Sequence, residues 1–107
     1  MLNMSDPSDI NKELAKFENR YLSLVWYARS NPEKISNENL RLRVEERMNK
    51  ISNEYSSDVE KLISCHDNFQ HGFNSGCLAA FRLALGLLSN DSAEREFAIE
   101  NFPFLDT

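Results

Sequence analysis

The sequence predicts an all-α fold, and three observations carry that prediction. Apolar residues recur at spacings of three and four along three long stretches, the period of one helix face. The 107 residues include only three glycines and three prolines, too few for the tight turns of a sandwich or barrel. Helix-start patterns precede helical stretches at Asp6-Pro7, at Asp67 with Gln70 and at Asp91 with Glu94. The expected architecture is a single domain over 1–107. It is an antiparallel three-helix bundle with helices at about 7–30, 38–64 and 68–89, plus a short C-terminal helix at about 92–101, and it dimerises.

The first helix is the plainest. Ile10, Leu14, Phe17, Tyr21, Leu24 and Ala28 form one stripe. Asp9 lies near the positive end of the helix dipole and Arg29 near the negative end, where each is favoured. Asn31-Pro32 stops the helix, because proline disfavours helical geometry in the residue before it. Leu22, Val25 and Trp26 widen the stripe, so this helix should face more than one neighbour.

The second helix begins near Asn37. Leu40, Val44, Met48, Ile51, Tyr55, Val59 and Leu62 mark its buried face, and the other face is densely charged. Glu46 and Lys50 form a favourable (i, i+4) pair. A break is expected at about Ser64–Asp67. The apolar rhythm nevertheless continues through Leu62, His66, Phe69 and Phe73. One helix over 38–89, about 78 Å long at 1.5 Å per residue, is therefore the alternative.

The third helix is unusual. Arg82 is its only charged residue from Gly72 onward. His71, Ser75, Arg82 and Ser89 make a narrow polar stripe. Gly72, Gly76, Ala79 and Gly86 lie to one side of it, and Cys77, Phe81, Leu85 and Leu88 lie on the far side. A helix apolar on most sides is expected to be covered by several neighbours. The tail Phe102-Pro103-Phe104-Leu105 cannot be helical through Pro103 and is expected to dock on the surface.

Charge bounds the function. The formal net charge is −5 and the isoelectric point is near 5.0. Residues 67–107 carry six acidic and two basic groups, so the acidity sits in the last third. A general nucleic-acid binder needs a basic face to displace counterions. The basic residues Arg43, Arg47 and Lys50 are interleaved with Glu46 and Glu54, which marks a solvated face. The apolar run Cys77–Leu88 contains Arg82 and is shorter than the roughly 20 residues of a membrane span. No secretory leader is visible in Met1–Asp9. Cys65 and Cys77 make no disulfide framework. The expectation is a cytoplasmic protein with no nucleic-acid or membrane partner.

Candidate chemistry is sparse. Cys65, His66, Asp67 and His71 are metal-ligating residue types, and Asp67 and His71 share a helix face at (i, i+4). They lack the two spaced pairs or the HExxH core of a strong metal motif. His71 is instead expected to be satisfied by a hydrogen bond at a helix start. Gly72 to Gly76 has no Walker lysine and no preceding strand, which excludes a P-loop. Glu-x-x-Glu and Glu-x-x-Asp pairs, needed to hold magnesium between facing helices, do not occur. Cys65 and His66 are adjacent and would diverge on a helix, so no catalytic triad is arguable. No catalytic residue, cofactor or metal is expected.

Self-association is the stronger signal. Each glycine inside a helix costs roughly 0.5–1 kcal/mol relative to alanine. Three in one helix imply close packing that offsets this cost, within the chain or between chains. Gly72, Gly76, Ala79, Ala80 and Gly86 are the candidate packing or dimer residues. The expected role is a non-enzymatic, homo-oligomeric interaction or regulatory module whose acidic C-terminal third is offered to a protein partner. The alternative is a small enzyme or ligand- or metal-binding protein with a polar site at His66, Asp67, His71, Asn74 and Arg82.

The segment His66–Arg82, HDNFQHGFNSGCLAAFR, and the ending Asn101–Thr107, NFPFLDT, resemble small uncharacterised proteins of marine cyanobacteria and their phages. The resemblance covers about a quarter of the chain. It implies a bacterial or phage-infected cytoplasm and no activity.

Overall fold

The computed structural model describes residues 7–64 and 69–106. Among them are five α-helices, one 3₁₀ turn and no strand. The helices are α1 (Pro7–Arg29), α2 (Glu38–Glu54), α3 (Ser56–Ser64), α4 (Phe69–Leu87) and α5 (Ser92–Asn101). A 3₁₀ turn, Pro32–Lys34, joins α1 to α2. The ends of α1 and α4 fall one or two residues short of the expected ones, the usual fraying at helix termini.

The main departure is at Tyr55. The predicted second helix is two helices, because Tyr55 leaves the helical region at φ −122°, ψ 48°. Its N–H still closes α2 on the Ile51 carbonyl, and its carbonyl accepts from Val59 N–H to begin α3. The break lets Ile51 and Val59 converge on Leu24 in one buried cluster. The sequence carries the signal: Ser56-Ser57-Asp58 is helix-start chemistry, with Asp58 in the first turn of α3. Apolar periodicity alone passes over it.

The expected break near Asp67 and its cap lie outside the described residues. The single-helix alternative over 38–89 is excluded all the same, because the longest dimension of the molecule is 44 Å.

α1 is the shared element. α4 packs along it, and α2 and α3 pack on it elsewhere. α5 packs on α4. α2 and α4 do not meet among the described residues. The α1–α4 seam contains an aromatic ladder in which the Phe81 ring stacks on Phe17 (5.1 Å, 8°) and on Tyr21 (5.7 Å, 10°). Leu24 and Leu78 are fully buried. α2 and α3 are held to α1 by polar anchors as well as by the core. The Arg47 guanidinium lies 4.2 Å above the Trp26 ring, and Arg20 pairs with Asp58 at 2.7 Å. Arg47 thus stacks on α1 while staying exposed, as Arg43 and Lys50 do on the expected solvated face. Lys50 and Glu46 pair at 3.9 Å, as their spacing predicts.

The caps show how side chains start the helices. Asn37 accepts from Leu40 N–H at the start of α2, and Asp91 accepts from Ala93 N–H at the start of α5. The capping box at Asp91 is only half formed. Glu94 accepts from the Ser89 hydroxyl, and that hydroxyl accepts from Asp91 N–H, so Ser89 takes the role expected of Glu94.

The fold is open for its mass. Its radius of gyration is 16.0 Å, against about 13 Å for a compact chain of this length. Its accessible surface is 7618 Å², against about 6100 Å² for a compact monomer.

Candidate functional site

The candidate packing residues divide into two groups. Gly86 and Ala79 are used inside the chain. A Cβ built on Gly86 would lie 2.5 Å from the Ala98 Cβ, so only glycine lets α5 approach α4 this closely. Ala79 is buried with Ala98 and Leu105 in a second cluster, against which Leu83 packs. Gly72, Gly76 and Ala80 do the opposite. All three are exposed, and a Cβ on either glycine would meet no neighbour within 4 Å. Close packing within the described chain accounts for one glycine of the three.

The open residues lie together. Phe69, Gly72, Phe73, Gly76, Ala80 and Leu87 are the exposed positions of α4. At 100° per residue they occupy an arc of about 100°. The arc contains no charge, and the one charged side chain of α4, Arg82, lies on the other side. Among the described residues α1, α5 and, to a smaller extent, α3 pack on the third helix, and these positions of its outward face stay exposed. Phe73 remains 51% exposed.

Among the described polar candidates, Arg82 stands apart from His71 and Asn74. His66 and Asp67 lie outside the described residues, as does Cys65. His71 is half-buried, and among the described residues its Nδ1 has no hydrogen-bond partner, contrary to the expected satisfied histidine. Asn74 is 1% exposed. Its Oδ1 accepts from Gln70 Nε2 at 3.4 Å and its Nδ2 is unpaired. Leaving a buried amide unpaired costs about 1–3 kcal/mol. Arg82 stands two turns further on, about 12 Å along the helix axis, and serves the C-terminal tail. Its Nη1 donates to the Leu105 carbonyl at 2.6 Å, and its Nε lies 3.9 Å from Glu18 Oε2. Arg29 holds the next residue through Asp106 Oδ2 at 3.2 Å.

The tail thus docks as expected, but only in part. Leu105 is buried, whereas Phe104 is 78% exposed and Phe102 is also exposed. Between α4, α5 and the tail lies a cleft of about 630 Å³. Leu85, Ala93, Phe97 and Leu105 line it, with Glu94 and Asn101 among its few polar groups. In the sequence the cleft shows only as two phenylalanines in a short acidic ending.

Two tyrosines are electrostatically perturbed. Burial pushes the Tyr21 hydroxyl above its ordinary value, and the neighbouring Cys77 adds to the shift. Burial also raises Tyr55, helped by a hydrogen bond to Glu54. Cys77 is a free thiol. Among the described residues no three metal-ligating side chains cluster, and no helix is long and apolar enough to cross a membrane. No protein-family model, curated protein or solved structure matches the chain.

Proposed function

We propose that this protein is a non-enzymatic interaction module that works as a homodimer in the cytoplasm, with the outward face of α4 as the contact between copies. One observation carries the reading: a helix of 19 residues exposes a face that is apolar or small along its length and carries no charge. In water such a face gains by burial at about 25 cal/mol per Å². Gly72, Gly76 and Ala80 leave no side-chain bulk to hold a second backbone away. A two-fold dimer brings the same patch together on both copies. A neutral patch meets its copy without repulsion, which matters for a chain of net charge −5. The surface in excess of a compact monomer is larger than the roughly 800 Å² that each partner gives to a standard interface.

The test is mass in solution. Light scattering or sedimentation should report a dimer for the wild-type chain and a monomer of unchanged helicity for Ala80→Glu. A strict monomer at high wild-type concentration would remove the reading. The alternative, a ligand site on α4, is favoured by the unpaired nitrogens of His71 and Asn74. It requires His71→Ala to abolish binding of a ligand without lowering stability.

A further inference from the structure

The C-terminal cleft differs from the α4 face in one respect that decides its occupant: its surroundings are acidic. Residues 91–106 carry Asp91, Glu94, Glu96, Glu100 and Asp106 against Arg95 alone. The cations near the cleft are committed internally. Arg95 donates to the Ser89 carbonyl at 2.6 Å, and Arg82 holds Leu105. Asp106 is paired with Arg29, whereas Glu96 and Glu100 form no ion pair among the described residues. On the α5 wheel Glu94 lies about 60° from Phe97 on the side that lines the cleft, and Glu100 and Glu96 lie about 60° and 100° from it on the other side, beyond the Phe97 edge. Phe97 and Phe104 stand exposed at its edge, and Phe102 lies exposed between α5 and Phe104.

We propose that this cleft docks a basic amphipathic peptide segment of a partner protein. Apolar side chains of the segment enter between Phe97 and Phe104, and its lysines or arginines meet Glu94, Glu96 and Glu100. The volume lies within the usual range for a binding cleft, roughly 300–1,000 Å³. Charge selects among occupants. A second copy presenting the same acidic face would be repelled, as would an anionic lipid surface. A small ligand filling the cleft would leave Phe102 uncovered, whereas a peptide covers the phenylalanines and the flanking carboxylates together. The proposal rests on the same reading of the chain as an interaction module, but on residues that the α4 face does not use.

The experiment is fluorescence anisotropy with a labelled amphipathic peptide of leucine and lysine, compared with its counterpart carrying glutamate in place of lysine. The lysine peptide should bind the wild-type protein, more weakly as salt rises. Phe104→Ser should weaken binding about tenfold, as expected for an aromatic anchor, and Glu96→Gln with Glu100→Gln should weaken it and flatten the salt dependence. Phe104 is so exposed that its replacement leaves the core untouched. Glu45→Gln with Glu46→Gln, on α2, should change nothing. Equal binding of the glutamate peptide would overturn the proposal. So would equal loss in the α2 variant, displacement by a simple alkylammonium ion at similar concentration, or a change of oligomeric mass in Phe104→Ser. Light scattering separates the two readings: a wild-type monomer that binds the peptide removes only the dimer, and a dimer indifferent to it removes only the docking site.

Discussion

Where α1 meets α2 and α3, the core is Leu24, Ile51 and Val59, enclosed by Tyr21, Trp26, Tyr27, Tyr55 and Leu62. Where α4 meets α5 and the tail, it is Ala79, Ala98 and Leu105, with Leu83 beside them. The first cluster is made of large side chains that bury much apolar area each. The second is made mostly of small ones, and backbones come close because Gly86 and Ala98 allow it. Polar anchors complete both: Arg20 with Asp58 and Arg47 on Trp26 in the first, and Arg82 and Arg29 on the tail in the second. Large residues tolerate some error in helix placement. Small residues require close approach, and any added atom is felt at once.

The strongest way to break this contrast is Leu24→Ala. It leaves a cavity among large neighbours and should cost about 2–5 kcal/mol in urea unfolding. Gly86→Ala adds one methyl group where Ala98 already stands. It should cost about 1–3 kcal/mol through overpacking and shift α5 and the tail, which hydrogen exchange at Leu105 and Asp106 would register. An equal effect of Gly86→Ala and a conservative Ile51→Val would erase the distinction between the clusters.

Arg82→Met should cost about 1–2 kcal/mol, since it leaves the Leu105 carbonyl without its charged donor. The loss should appear as tail release in NMR before global unfolding.

The open glycines reverse the sign. Gly72→Ala or Gly76→Ala, free of neighbours in the monomer, should raise monomer stability by about 0.5–1 kcal/mol. If two α4 helices meet there, the same change should raise the dimer dissociation constant, so the two measurements move in opposite directions.

A smaller effect appears at high pH. Tyr21 and Tyr55 hold their protons more tightly folded than unfolded. Their contribution is intact below the unfolded value near 10 and is lost as pH rises through the folded values. Tyr21→Phe should reduce the alkaline loss of stability, and absorbance titration should show tyrosines ionising above the free amino acid.

The helices themselves were legible. Ile10 through Ala28, Leu40 through Leu62 and the uncharged run of α4 all announced their periods, because burial of one face demands that spacing. Periodicity hides the Tyr55 break, because Ile51, Tyr55 and Val59 keep a helical spacing across it. The candidate glycines were legible as a group but not as individuals. Gly72, Gly76 and Gly86 carry the same local signal, and only Ala98 of α5 distinguishes the third. The sequence groups His71 and Asn74 with Arg82, and the helix rise separates them from it.

What the sequence determined by itself is the helical class, the starts of α2 at Asn37 and of α5 at Asp91, and the acidity of the C-terminal third. These depend on local propensity, capping and period, and each is decided within a few residues along the chain. Only the tertiary structure decided which residues of α4 stay exposed, that Arg82 serves the tail, and that Phe97, Phe104 and Glu94 line one cleft. Those depend on which segments, distant along the chain, come to lie against α4, and no periodicity records that.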